Sequence, residues 1–192
     1  LSKTGKTLIC STGMSSESEI IESINVLNKN SAKYILLQCN STYPTPFKDV
    51  NLKYLKRLRE IGNCFVGYSG HERGYHVVLA SVVLGAKVVE KHFTLDKNME
   101  GNDHKVSLLP DEFRNMVNMI NDVEESLGTS KARVPTQGEL MNRNTLAKSI
   151  VAKYQIKIGE EISNDMLAIK SPGKGLQPNK IDQLIGKKAN RN

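Results

Sequence analysis

Short apolar runs alternate along the chain with longer segments in which apolar residues recur every three or four positions. Thr7 to Cys10 is a short apolar strand, and after STGM the segment Ser15 to Asn28 takes a helical period, with Ile20, Ile21, Ile24, Val26 and Leu27 as its inner stripe. Tyr34 to Cys39 (YILLQC) predicts a second strand and ends in NSTYPTP, where Pro44 and Pro46 forbid helix and stiffen the loop. Asn51 to Ile61 predicts a helix with Leu52, Leu55 and Leu58 inward and Gly62 closing it. Cys64 to Gly67 then predicts a strand, Tyr75 to Leu84 an apolar helix, and Lys87 to Phe93 a fourth strand. A long polar loop leads to a helix over Pro110 to Leu127, with Pro110, Asp111 and Glu112 in its first turn and Gly128 after it.

The order is therefore β-α four times over, with a repeat of about 25 residues, the mark of an α/β fold with a parallel sheet and crossover helices. Strands that are apolar almost throughout fit burial on both faces. Four such units make either half of an eight-stranded barrel or a small open sheet. The pattern changes after residue 128: TSKARVPTQGELMN at 129–142 makes up most of a polar linker over 129–144, and 145–192 reads as a small β-rich module with glycine turns. A helical turn is expected near Asn179 to Leu184.

Composition narrows the function classes. With 39% apolar and 24% charged residues the chain is an ordinary globular protein, and no apolar run approaches the roughly 20 residues that span a bilayer. No charged and apolar leader is visible at its start, so a cytoplasmic location is expected. Three cysteines without CxxC spacing read as buried, reduced thiols. The net charge of +7 comes without an Arg-rich run or interleaved aromatics, which disfavours nucleic acid and suits a small anionic substrate. The chain opens on Leu1 within an apparent helix-to-strand connection and stops in GKKANRN, and reads as a piece of a longer protein.

The chemistry concentrates between Val66 and His104. Side chains alternate along a strand, so Ser69 and His71 share one face, as do Glu90 and His92. If the two strands are parallel neighbours about 4.8 Å apart, two imidazoles and a carboxylate converge, with Asp103 and His104 on the loop above. That constellation suits a divalent metal or proton transfer. Lys91 alternates outward from His92 and is assigned no catalysis, and His76, on a helix, reads as structural. Parallel α/β folds place their sites at this end of the strands.

STGM at 11–14, YPTP at 43–46, GYSGHE at 67–72, EKHFTLD at 90–96 and GNDH at 101–104 resemble the sialic acid synthase family, which includes N-acetylneuraminate, legionaminate and pseudaminate synthases. The SIVA…G segment at 149–159 matches as well. The resemblance covers essentially the whole chain and implies four C-terminal βα units of a (β/α)8 TIM barrel over 1–128, followed by a truncated antifreeze-like (SAF) domain over 145–192. It implies condensation of phosphoenolpyruvate with an N-acetylated amino sugar to a nine-carbon 2-keto-3-deoxy acid, with release of phosphate. His71 and His92 are then the ligands of a divalent ion, Mn2+ or Mg2+, and Glu90 lies by the metal or its water. Ser11, Ser41 and Ser69 fall where family members contact phosphoenolpyruvate, and Tyr43 and Asp103 face the sugar. The family pattern also implies a homodimer in which the SAF domain covers the partner's barrel and contributes an arginine. This chain reads KSPGKG at 170–175, with Ser171 in that arginine's place; Lys170 or Lys174 would substitute, or the substrate differs.

Two other readings share these residues. One is a different TIM-barrel synthase or aldolase for keto-deoxy sugars, since fold alone does not fix function. The other is a non-catalytic sugar-binding or dimerisation module. Residues 1–192 alone are expected to be inactive, because a half barrel leaves open edges and an incomplete site.

Overall fold

The computed structural model describes residues 1–191. The chain divides after Thr129 into two compact units. In the first, four strands pair in parallel and in chain order: β1 (Leu8–Ser11), β2 (Tyr34–Cys39), β3 (Val66–Gly70) and β4 (Val89–Lys91). Helices α1 (Glu17–Lys29), α2 (Tyr54–Gly62) and α3 (His76–Val83) cross between them, and α4 (Pro110–Leu127) follows β4. Right-handed crossovers between sequential neighbours place every helix on one face of a curled sheet, which is the geometry of consecutive barrel staves rather than of a doubly covered open sheet.

The core lies between the sheet and its helices in two adjoining clusters. Leu36 and Val66 pack with Ile20, Ile24, Leu55 and Leu58 from α1 and α2. Tyr68 packs with Val50, Val78, Ala86, Leu108 and Met116 towards α3 and α4. The opposite sheet face, which a complete barrel turns inward, is open at Ile9, 55% exposed.

Local signals account for most boundaries. α1 begins at Ser16, whose hydroxyl and Glu19 form a reciprocal capping box. α2 starts three residues later than its apolar period predicts and closes on Asn63, in the left-handed conformation at φ 43°, instead of on Gly62. β3 runs three residues further than expected, so Ser69 lies within the ladder, opposite Cys39 on β2 and Glu90 on β4. β4 is shorter than the expected Lys87 to Phe93: it pairs only with β3, and Phe93 makes an isolated bridge to Leu108.

The second unit starts at Ser130. The stretch expected as linker contains helix α5 (Gln137–Leu146), started by a Thr136–Glu139 capping box. It leads into an antiparallel pair, β5 (Ser149–Ala152) with β6 (Leu167–Lys170), whose Ile150 and Leu167 are buried. The expected helical turn is a 3-10 segment over Pro178–Gln183. Ser171 is exposed, and its hydroxyl donates to the Leu146 carbonyl at 3.3 Å.

Candidate active site

β3 and β4 carry the chemistry to their C-terminal ends. The His71 and His92 ring centroids lie 5.0 Å apart with planes at 75°. His71 is fixed by its backbone surroundings: its Nδ1–H donates to the Asn40 carbonyl at 2.7 Å, which in the neutral ring leaves the lone pair on Nε2. The Tyr43 hydroxyl lies 3.2 Å from that Nε2, and its ring packs 4.3 Å from the imidazole and 5.6 Å from that of His92. Two residues back along each strand, on the same face, the Ser69 hydroxyl donates to Glu90 Oε1 at 2.8 Å. Asp103 Oδ2 stands 3.9 Å from His92 Nδ1. Parity along the two strands thus sets His71 with Ser69 and His92 with Glu90, and the loops bring Tyr43 and Asp103 into the same neighbourhood.

Ser11 and Ser41 lie further off. Ser11 ends β1, opposite Leu37 on β2. Ser41 follows β2, with its hydroxyl 3.9 Å from Cys39 Sγ. A cleft of about 580 Å³ over the ends of β1 and β2 is lined by Thr12, Gln38, Asn40 and Ser41 among others, and takes in neither histidine. His104 turns aside, its Nδ1 2.7 Å from the Thr94 hydroxyl.

The two imidazoles titrate in opposite senses. The hydrogen bond with Cys39 raises His71, against the pull of burial. Burial lowers His92, and the neighbouring His71 charge lowers it further. Burial also drives the Cys39 thiol upward, but hydrogen bonds from His71, Ser69 and Ser41 together with the His71 charge bring it below its ordinary value. The sequence alone reads Cys39 as a buried, reduced thiol; it is free but only half-buried, and its Sγ is 3.8 Å from His71 Nδ1.

Beneath the histidines, on the helix side of the sheet, lies an ion pair that sequence reasoning missed. Lys91 Nζ donates to Glu72 Oε1 at 3.0 Å and to the Glu72 carbonyl at 2.5 Å, and both side chains are 0% exposed. The Tyr68 hydroxyl donates to Glu72 Oε2 at 2.6 Å. Lys91 does point away from the His92 face, but into the sheet–helix interior. Burial pulls its ammonium below the usual lysine range, and the Glu72 carboxylate opposes that. The available signal was the matching offset: an acid directly after His71 and a base directly before His92.

Two imidazoles on one ion, each nitrogen about 2.1 Å from it, would have ring centres about 4.6 Å apart at a right angle and about 5.3 Å at the tetrahedral angle. The observed 5.0 Å falls between these values, so the ring separation is compatible with a shared cation. Among the described residues no group of three or more His, Cys, Asp and Glu side chains is placed to hold a metal ion, which leaves the two imidazoles as the donor pair. An open donor set of this kind belongs to sites that also bind water or substrate oxygens.

Consecutive parallel βα staves with paired histidines at the strand ends, followed by a small antiparallel module, define a βα-barrel protein with an appended β domain. The NeuB family model matches residues 1–132 and the SAF domain model matches 147–192. The chain belongs to the NeuB family. It is 47% identical over 98% of its length to an uncharacterized protein of Methanocaldococcus jannaschii, covering 56% of that protein. It is 44% identical over its whole length to the N,N'-diacetyllegionaminic acid synthase of Campylobacter jejuni, covering 58% of that enzyme. Among solved structures, the N-acetylneuraminic acid synthetase of Leptospira borgpetersenii, in complex with citrate, matches at 33% identity and a TM-score of 0.66 over 76% of this chain and 52% of that one. The chain thus spans somewhat more than half the length of the curated relatives it matches. No helix among the described residues is long and apolar enough to cross a membrane.

Proposed function

We propose that this chain supplies the metal- and substrate-binding half of a synthase that condenses phosphoenolpyruvate with an N-acetylated amino sugar, releasing phosphate and forming a nine-carbon 2-keto-3-deoxy acid. The observation that carries the reading is the placement of the His71 and His92 imidazoles 5.0 Å apart, each one residue past the end of adjacent strands, at the end of the sheet where parallel βα folds bind ligands. The sugar-acid synthase names of the relatives support the same class of chemistry.

His71 Nε2 and a His92 ring nitrogen would hold the divalent cation, Mn2+ or Mg2+. Bound there, it would supply Lewis-acid stabilisation to negative charge developing on the sugar's carbonyl oxygen as the enol carbon attacks. The Asn40 carbonyl keeps the His71 proton on Nδ1 and so keeps Nε2 available. Burial lowers the pKa of His92, which favours the neutral ring that can donate its lone pair. Glu90, oriented by Ser69, would hold or move a proton of a water adding to the enolpyruvyl carbon. Ser11 and Ser41 would donate to phosphoenolpyruvate oxygens without adding charge, and Ser69, whose proton is committed to Glu90, would contact the same substrate through its oxygen and Cβ. Tyr43 and Asp103 border the same space and would meet the sugar hydroxyls. In the same reading the SAF domain of one subunit covers the barrel of its dimer partner.

The test is an assay of the full-length protein with phosphoenolpyruvate, Mn2+ and a panel of N-acetylated hexoses, reading phosphate release and product mass. His71→Ala and His92→Ala are each expected to abolish metal-dependent turnover while leaving the thermal melt in place. Full turnover in either variant refutes the assignment.

A further inference from the structure

We propose that the buried Glu72–Lys91 pair is a positioning clamp that sets the distance between the His71 and His92 imidazoles, and thereby the affinity of the site for its divalent cation. The inference rests on the metal reading above and deepens it. The pair joins the two strands one residue from each histidine: Glu72 follows His71, and Lys91 precedes His92.

The clamp acts on backbone as well as side chains. The β3–β4 ladder ends at Gly70↔Lys91, one residue short of both histidines. Beyond that point their own carbonyls bond elsewhere, His71 accepting from Thr45 N–H at 3.1 Å and His92 from Leu108 N–H at 2.8 Å. Those bonds draw the two histidine backbones towards different loops. The Lys91 ammonium bridges back across this divergence by gripping the Glu72 main-chain carbonyl at 2.5 Å and its carboxylate at 3.0 Å. Tyr68, from within β3, locks the other carboxylate oxygen at 2.6 Å. Gly70 leaves room for this: a Cβ there would lie 2.8 Å from both Glu72 Oε2 and Tyr68 Cε1. The carboxylate is thereby seated directly on the strand that leads to His71.

Stability alone is a weak reason for such a pair. Desolvating two charges offsets their attraction, and well-packed apolar replacements of buried pairs are often neutral or stabilising. Spacing is a different matter, because groups that orient metal ligands typically contribute a factor of about 10–100 in metal affinity or activity.

The discriminating variant is the double substitution Glu72→Gln/Lys91→Met, which removes both charges at similar volume and leaves no lone buried ion. Mn2+ is titrated calorimetrically into the full-length protein, and the melt of each variant is recorded. The expected result is a near-native melting temperature with Mn2+ affinity weakened about tenfold or more. A native melt with unchanged Mn2+ affinity overturns the clamp. Tyr68→Phe, a gentler perturbation of the same carboxylate, is expected to weaken Mn2+ in the same direction by a smaller factor. Should the double variant not fold, unchanged affinity in Tyr68→Phe overturns the proposal. His71→Ala/His92→Ala separates the two levels of inference: if it binds Mn2+ as the parent does, the metal reading fails and the clamp falls with it.

Discussion

Gly67→Ala is the sharpest single probe of how the two histidine strands are spaced. Gly67 lies early in β3, and a Cβ built on it would stand 2.4 Å from the Val88 carbonyl oxygen and 2.4 Å from Leu37 Cδ2. The leucine methyl can rotate away. The carbonyl cannot, because it already accepts the Tyr68 N–H at 2.9 Å in the β3–β4 ladder. Ordinary carbon–oxygen contacts begin near 3.3 Å, so the added methyl is about 0.9 Å too close to β4. Relief requires the two strands to part at a ladder hydrogen bond, and overpacking of this kind costs about 1–3 kcal/mol. At about 2–4 °C per kcal/mol for a domain of 150–250 residues, the melting temperature should fall by roughly 2–12 °C. Differential scanning calorimetry of the full-length protein measures this directly. A melt within about 1 °C of the parent would show that β3 and β4 are not held as closely as argued.

Two further outcomes test the fold and its electrostatics. Leu58→Ala empties a fully buried position facing Ile20, Ile24, Leu36 and Val66, and should destabilise the barrel unit by about 2–5 kcal/mol, read from chemical denaturation. The Glu17 carboxyl is held below the usual glutamate range by hydrogen bonds from Arg57 and then Tyr54. A depressed carboxylate contributes stability above its unfolded pKa, near 4.3, and loses it as pH falls through the folded value. Melting temperatures of the parent and Glu17→Gln should therefore differ near pH 7 and converge as the pH drops below about 4. Curves that stay parallel through that range would remove the linkage.

Much of the barrel unit could be read from periodicity because its strands are apolar and its helices amphipathic, and the parity rule put His71 with Ser69 and His92 with Glu90 before any coordinates. What escaped has physical causes. β4 is short because its residues find a ladder partner on one side only, which no propensity encodes. α5 was hidden by a polar composition, although Thr136 and Glu139 spell out its capping box. The ring orientation of His71 depends on a main-chain carbonyl, that of Asn40, and backbone partners leave no trace in side-chain patterns. Lys91 shows the limit of alternation: the rule gives the face, while burial on that face depends on the helices that cover it and on an acid 19 positions earlier.

Chemistry and adhesion are written into the same few letters here, with His71 and His92 facing one way and Glu72 and Lys91 the other. Substitution can therefore tune either task while sparing its neighbour. Insertion or deletion of a single residue in β4 is another matter, since it would rotate the ammonium into the mouth and the imidazole into the oily layer at one stroke. Lineages descending from this fold should accordingly vary their letters in that strand while keeping its length constant.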